Sequence, residues 1–175
     1  MMRFWRDRRG MAATEFALTV PILIILFVGC YQFSDALMLY RKMTRMTRTI
    51  ADVTAQNTKL SAADVNSILQ TSTQVMTPYD TSSVQMYVMQ VKVDGSGNGK
   101  VDWAQSSSNT TPPVVGSTVT LPSTIGNTVK NGYLIVAKVN YTYVPKIVPA
   151  EFGSIPLADT SMMLPRASDS VQNTG

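Results

Sequence analysis

The most hydrophobic stretch of the chain lies near its N-terminus, where residues 16–31 contain no charged side chain. Counted from Met11 to Phe33, and at about 1.5 Å per residue, this stretch can cross a hydrocarbon core about 30 Å thick. The pattern therefore predicts a single membrane-spanning helix over residues 11–33. Glu15 is the exception that needs a reason, because a carboxylate at the edge of a membrane segment is costly.

Beyond this segment the apolar residues thin into a stripe with alternating steps of three and four. This spacing places them on one face of a helix. Since there is no Gly or Pro between Cys30 and Lys59, we expect one helix from about Ala12 to Gln56, with a kink or local unwinding at Pro21. Two interpretations of the stripe carry equal weight: it docks on the chain's own domain, or it packs against neighbouring subunits. The stripe consists of Ala36, Leu39, Met43, Met46, Ile50 and Val53.

A second, shorter helix is predicted after the turn at residues 57–60. Ser61 is the expected N-cap, and Asp64 lies in the first turn. Pro78 is expected to end the helix. Its buried face is expected to contain Val65, Ile68, Leu69 and Val75 or Met76.

From residue 83 onward the hydrophobic period becomes that of strands. Residues 84–93 and 100–104 form a predicted hairpin across the Gly-rich turn 94–99. Two further strands are predicted, and residues 105–117 are expected to form a polar loop. The prediction is an α+β fold in which a small antiparallel sheet packs against the long helix, with a short second helix. The further strands cover 133–144 and 155–164.

These elements divide the chain into four predicted parts. Residues 1–10 form a basic leader, and residues 11–58 form the long helix, membrane-spanning over 11–33 and amphipathic over 34–58. An extracytoplasmic α+β domain follows at 59–166. Residues 167–175 are expected to be a flexible tail.

The positive charge is confined to the membrane flanks. Residues 1–50 contain eight basic and three acidic residues, a net charge of +5, whereas residues 51–175 contain seven and eight, a net charge of −1. This division favours lipid headgroups over nucleic acid as the partner of the positive charge. The basic residues before the apolar run are closer to it than those after it, which favours a cytoplasmic N-terminus.

The order of residues around the apolar run resembles the class III signal of type IV pilin-like proteins, and in particular TadE-like minor pilins (pseudopilins) of tight-adherence pilus systems. Basic residues precede Gly10-Met11, Glu15-Phe16 follows, and Pro21 comes six residues after Glu15. Two late segments, residues 139–145 (VNYTYVP) and 162–166 (MMLPR), resemble the late motifs of the same group.

This resemblance implies cleavage by a prepilin peptidase after Gly10, with Met11 as the new N-terminus. It implies a structural role in a tight-adherence (Flp-type) pilus or in its assembly. The partners would be the peptidase, other pilins, the assembly machinery and membrane lipids, with no nucleic acid and no small-molecule substrate. The location would be the bacterial inner membrane, with the C-terminal domain periplasmic, or the pilus and cell surface after assembly.

If the chain is cut after Gly10, Glu15 has a specific role in assembly. Cleavage frees the amine of Met11, and a carboxylate buried in an assembly can pair with that amine, so that neither charge is buried alone. The alternative is an acid resting among lipid headgroups. Together with Phe16 and Pro21, Glu15 forms the predicted assembly determinant, and Leu39, Met43, Met46 and Ile50 are the predicted helix-packing residues.

A second candidate site is the Gly-rich turn, which imitates a calcium loop. Asp94, Ser96, Asn98 and Asp102 supply oxygen at the first, third, fifth and ninth positions. The twelfth position is Gln105 instead of a bidentate Glu, and strands rather than helices flank the loop, so an ordinary hairpin turn is favoured over a metal site.

Cys30 supplies the alternative class of function. Preceded by Phe27-Val28-Gly29, it resembles a lipoprotein cleavage site, which would make the chain a lipid-anchored or membrane-anchored extracytoplasmic binding module outside any filament. The helical pattern runs straight through Cys30, which favours a packed membrane cysteine. The sequence has no His and no nucleophile, phosphate-binding or metal-binding motif, so we expect neither an enzyme nor a cofactor.

Overall fold

The computed structural model describes residues 8–145, 147 and 153–174, so most of the predicted leader lies outside the described residues. A single helix, α1, covers Arg8–Ala55, which is 48 residues or about 72 Å. The helix continues through Pro21, so the local unwinding considered above does not occur. A proline removes one backbone donor, and the turns on either side keep their own hydrogen bonds.

The remainder of the chain forms an α+β domain, as predicted, around a five-stranded antiparallel sheet in the order β4-β3-β2-β5-β6. A separate parallel pair joins β1 to β7. The elements after α1 are β1 (Lys59–Leu60), α2 (Ala62–Ser72) with a 3₁₀ turn (Thr73–Met76), β2 (Gln85–Val93), β3 (Gly99–Ser106), β4 (Thr118–Val119), α3 (Ser123–Thr128), β5 (Tyr133–Tyr143), β6 (Ile155–Met163) and β7 (Gln172–Asn173).

Helix α2 begins with the expected cap. The Ser61 hydroxyl accepts the Asp64 amide, and the Asp64 carboxylate accepts the Ser61 amide at 2.9 Å, which completes a capping box. The Ser61 hydroxyl also donates to Asp64 Oδ2 at 2.7 Å, and this bond, followed by the one from the Ser61 amide, lowers the pKa of Asp64 below its ordinary value. The α-helical part ends at Ser72, earlier than Pro78 suggests, because the last turn tightens into the 3₁₀ segment.

The hairpin of β2 and β3 is present across residues 94–99, with Val93 paired to Gly99. Helix α3, which the sequence pattern did not predict, packs on this turn. A Cβ atom at Gly126 would lie only 2.6 Å from the Gly97 carbonyl oxygen, so this contact requires glycine at both positions, and Gly97 has a φ of +86°.

The sheet buries both of its faces. One face packs on α1 and α2, and the other is covered by α3 and the chain before it. Strand β5 consequently has Ile135 and Ala137 in the first cluster and Leu134 and Val136 in the second. This explains why its apolar residues do not simply alternate with polar ones.

The four predicted helix-packing residues lie in the core of the chain's own domain. Their exposed fraction is 0%, so in this conformation they are not available to a neighbouring subunit. Val53, in contrast, is 36% exposed, and the prediction that it continues the stripe is wrong. The buried face turns on approaching the end of α1, where Ala51, Thr54 and Ala55 are buried instead. The four core residues are Leu39, Met43, Met46 and Ile50.

The prediction of a flexible tail is also wrong for the described residues up to 174. Val171 is fully buried: its amide donates to Gln90 Oε1 at 2.7 Å, and its carbonyl accepts Trp103 Nε1 at 2.8 Å. Strand β7 then pairs with β1. The sequence pattern does not reveal these contacts, because the tail is held by one apolar side chain and by hydrogen bonds of its backbone. Neither of these produces a hydrophobic period.

Candidate functional site

The N-terminal half of α1 is separate from the domain and exposes its apolar side chains. Phe16, Ile25 and Phe27 are each more than 70% exposed. In the part of the chain that the structure describes, α1 is the one helix long and apolar enough to span a membrane; its most apolar window has a mean hydropathy of 2.2, and none of that window is buried. A surface of this kind fits a single-pass membrane anchor.

The residues of the predicted processing site lie in this free part of the helix. A Cβ atom at Gly10 would meet nothing within 4 Å, so the folded chain itself gives no reason for a glycine there. Met11 and Glu15 are four residues apart and therefore occupy the same helix face, one turn from each other. A new amine at Met11 would thus begin one turn before the carboxylate. Phe16 and Pro21 follow on the same free segment.

A polar cluster that the sequence reasoning missed joins the domain to α1 just beyond the apolar run. The Asp35 carboxylate accepts two tyrosine hydroxyls, from Tyr79 at 2.6 Å on Oδ1 and from Tyr143 at 2.8 Å on Oδ2. Burial and the hydrogen bond to Asp35 raise the pKa of Tyr143 to about 12, and the pKa of Tyr79 is raised for the same reasons. The tyrosines therefore remain protonated donors over the physiological range.

The same level of the helix carries a second attachment. The Lys42 ammonium donates a hydrogen bond to the Thr77 carbonyl, and its Nζ atom lies 5.8 Å from the centre of the Tyr79 ring. Both contacts hold the chain that follows α2 against the helix. Asp35 thus binds the Tyr79 hydroxyl, and Lys42 lies against the ring of the same residue.

Arg166 fixes the other end of α1. Its backbone amide donates to the Ala55 carbonyl at 2.8 Å, and its guanidinium lies 3.0 Å from Asp52 Oδ1. A cation beside the last turn of a helix is favourable, and the Arg166 amide satisfies one of the carbonyls left unpaired there. The two late motifs therefore have related positions: the first contributes Tyr143 at one end of the amphipathic segment, and the second contributes Arg166 at the other.

The candidate calcium loop is an ordinary turn in this structure. The Asp94 carboxylate accepts the amides of Ser96 and Asn98 at 2.8 and 2.9 Å, which lowers the pKa of Asp94, most strongly through the Asn98 amide. Asp102 instead accepts Gln90 Nε2 at 2.7 Å. Across the described residues, no three potential metal ligands of the Asp, Glu, His or Cys type come together.

Two features bear on the alternative function. Helix α1 runs uninterrupted through Cys30, whose side chain is exposed on the free segment. On the domain, an open cleft of about 700 Å³ lies between the ends of β5 and β6 and the chain leading into β2, and its lining includes Ser82, Asn109 and Asn140. This lining is uncharged and mixes polar side chains with apolar ones such as Leu157, and it brings no acid–base pair together.

Comparison with known protein families gives a match that falls on α1. Residues 10–52 match the family model described as TadE-like protein. This segment, about a quarter of the chain, is similar to that family. The resemblance drawn from Gly10, Glu15, Phe16 and Pro21 is thereby confirmed for the segment that contains them. The matched residues include Asp35 and Asp52, the two α1 partners of the late motifs. No curated protein and no solved structure matches the chain.

Proposed function

We propose that the chain is a structural minor pilin or pseudopilin. In this proposal it is inserted with its N-terminus in the cytoplasm, cut by a prepilin peptidase after Gly10, and added to a tight-adherence pilus or to its assembly complex. The TadE-like match over residues 10–52 supports a pilus-associated role. No catalytic function is proposed.

The observation that carries the proposal is the division of α1 into two halves. The half that follows Asp35 is packed into the domain, with Leu39, Met43 and Met46 fully buried. The half before it makes no packed core with the domain and exposes a continuous apolar surface. Such a surface can exchange lipid for the helices of neighbouring pilins without any change in the domain. The partners proposed for it are other pilins, the assembly machinery and membrane lipids.

The first test is the mass of the mature protein and its dependence on Gly10. Gly10→Val should leave full-length protein in the membrane, because a side chain at this position would obstruct the peptidase. Gly29→Val is the matched control: a Cβ atom at Gly29 also meets nothing within 4 Å, and this position lies inside the span. The control should mature normally. Normal maturation of the Gly10 variant would show that the cut is elsewhere.

The alternative is an anchored extracytoplasmic binding module, for which the uncharged cleft beside Ser82 would be the ligand surface. The same mass measurement separates the two. Loss of residues 1–10 supports the pilin proposal, an intact N-terminus supports a permanent anchor, and lipid on Cys30 supports a lipoprotein.

A further inference from the structure

The charged residues of α1 indicate where this helix would enter and leave the hydrocarbon layer of the membrane. The segment between Glu15 and Asp35 has 19 residues and no charged side chain. At about 1.5 Å per residue it is about 28 Å long, close to the hydrocarbon thickness of about 30 Å. Because an ionised carboxylate is costly inside the hydrocarbon, Glu15 and Asp35 mark its two boundaries.

Asp35 also fixes the height of the domain. Its carboxylate holds the hydroxyls of Tyr79 and Tyr143, so the end of β5 lies at the level where α1 leaves the hydrocarbon. Tyr31 and Tyr40, both exposed on α1, flank the same level. Tyrosines concentrate at membrane–water interfaces because the ring is apolar and the hydroxyl polar, so their distribution agrees with the boundary set by the charges.

At this end of the sheet the described residues expose aliphatic side chains. Val144 is 53% exposed, Ile147 is 54% exposed, and Ile155, which pairs with Tyr143, is 46% exposed. We call these three residues the basal edge. Exposed aliphatic residues are common on protein surfaces, but these follow or pair with Tyr143, which is itself bonded to Asp35 at the boundary.

We infer that the basal edge of the sheet rests on the lipid surface, so that the domain has a second membrane contact besides α1. This inference relies on the membrane insertion of α1 in the proposed function. Lipid is chosen as the occupant because the basal edge continues the boundary of the span, and apolar side chains can enter the headgroup layer to a depth of about 5–10 Å. The contact would limit tilting of the domain relative to the membrane before a pilin is extracted.

The opposite end of the domain supplies a matched control. Val115 is 62% exposed and lies in the loop whose Gly116 amide bonds to Val101, in the part of the sheet where β3 begins. Toward this end, the Arg166 amide that follows β6 bonds to the Ala55 carbonyl, and Ala55 lies about 30 Å along α1 from Asp35. Val115 therefore has the same chemistry as the basal edge but should remain in water.

The experiment uses the full chain with Cys30→Ser, reconstituted in vesicles of phosphatidylcholine and phosphatidylglycerol. Single cysteines replace Ile147, Ile155, Val115 or Phe27 and carry an environment-sensitive fluorophore. The quencher is phosphatidylcholine with a nitroxide on its acyl chain. We expect strong quenching at Phe27, clear quenching with emission at shorter wavelength at Ile147 and Ile155, and little of either at Val115. Adding Val144→Asp to the Ile155 probe should reduce its quenching.

The outcomes separate this inference from the proposed function. Quenching at Phe27 without quenching at Ile147 and Ile155 would overturn the basal contact and leave the membrane anchor intact. Absence of quenching at Phe27 would reject insertion itself, and the basal contact with it. If the basal probes quench one another as the protein-to-lipid ratio rises, but do not respond to the nitroxide lipid, a second copy of the chain covers the edge and the inference is wrong.

Discussion

Tyr143 donates its hydroxyl to Asp35 Oδ2 at 2.8 Å and so joins residues 108 positions apart in the sequence. The bond connects the end of β5 to the point where α1 leaves its apolar segment. With the second bond from Tyr79 it makes the carboxylate a polar contact between the domain and α1, close to the end of the apolar segment.

Removing one hydroxyl tests this link. Tyr143→Phe should lower the free energy of unfolding by about 1.5–3 kcal/mol, the range for hydrogen bonds to charged groups, and toward the lower end because Tyr79 still binds Asp35. Thermal unfolding of the full chain in detergent, followed by near-ultraviolet circular dichroism, measures the change. Tyr87→Phe is the control, since Tyr87 packs on the other face of the sheet. Equal melting of the two variants would argue against the role of the bond.

The same tyrosines predict loss of stability at high pH. Burial, and then the hydrogen bond to Asp35, raise the pKa of Tyr143 from 10.0 to about 12. Between these values the unfolded chain has lost the phenolic proton and the folded chain keeps it, so stability falls as the pH rises through that interval. In the wild type, tyrosinate absorbance should include a component that titrates above the ordinary tyrosine pKa. This high-pH component should be smaller in Tyr143→Phe. A component of equal size would contradict the assignment.

The C-terminal segment gives a separate prediction about stability. Deleting residues 171–175 would leave Gln90 Oε1 and Trp103 Nε1 without the partners that Val171 supplies. Each unsatisfied buried group costs about 1–3 kcal/mol. In a Trp5→Phe background, we expect a lower melting temperature and emission from Trp103 at longer wavelength. Gln172→Ala, which alters only an exposed side chain, should change neither, and unchanged emission after the deletion would refute the anchoring role.

The sequence predicted the parts of the fold that depend on local pattern. The apolar period of α1, the capping box at Ser61 and the turn at Asp94 each involve residues close together in the chain. What it missed are long-range contacts of polar groups, such as Asp35 with Tyr143 and Gln90 with Val171. A single acidic residue or a polar tail produces no hydrophobic period in the sequence. Its hydrogen-bond partner can therefore be identified only from the folded structure. The late motifs did carry a usable signal, since each contains a residue that binds α1.

The last prediction separates cleavage from assembly and concerns Glu15. Glu15 lies five residues after the proposed cut, so a peptidase that reads Gly10 and the basic leader has no evident need of it. A subunit that enters a bundle of apolar helices must instead neutralise the new amine of Met11, which begins one helical turn before Glu15 on the same face. Glu15→Gln keeps the size and hydrogen-bonding capacity of the side chain but removes its charge. Leaving a buried charge unpaired costs about 3–5 kcal/mol.

We therefore expect the Gln variant to be cut and to stay in the membrane, as mass spectrometry of the membrane fraction would show, but not to join the pilus or its assembly complex. Glu15→Asp, which retains the charge on a shorter side chain, should recover part of the assembly, because an electrostatic role requires charge more than exact length. The readout is the amount of each variant that co-purifies with sheared pili or with the assembly complex. If the Gln variant assembles at the wild-type level, then Glu15 does not pair with the amine, and its position at the boundary of the hydrocarbon reflects only an acid placed among headgroups.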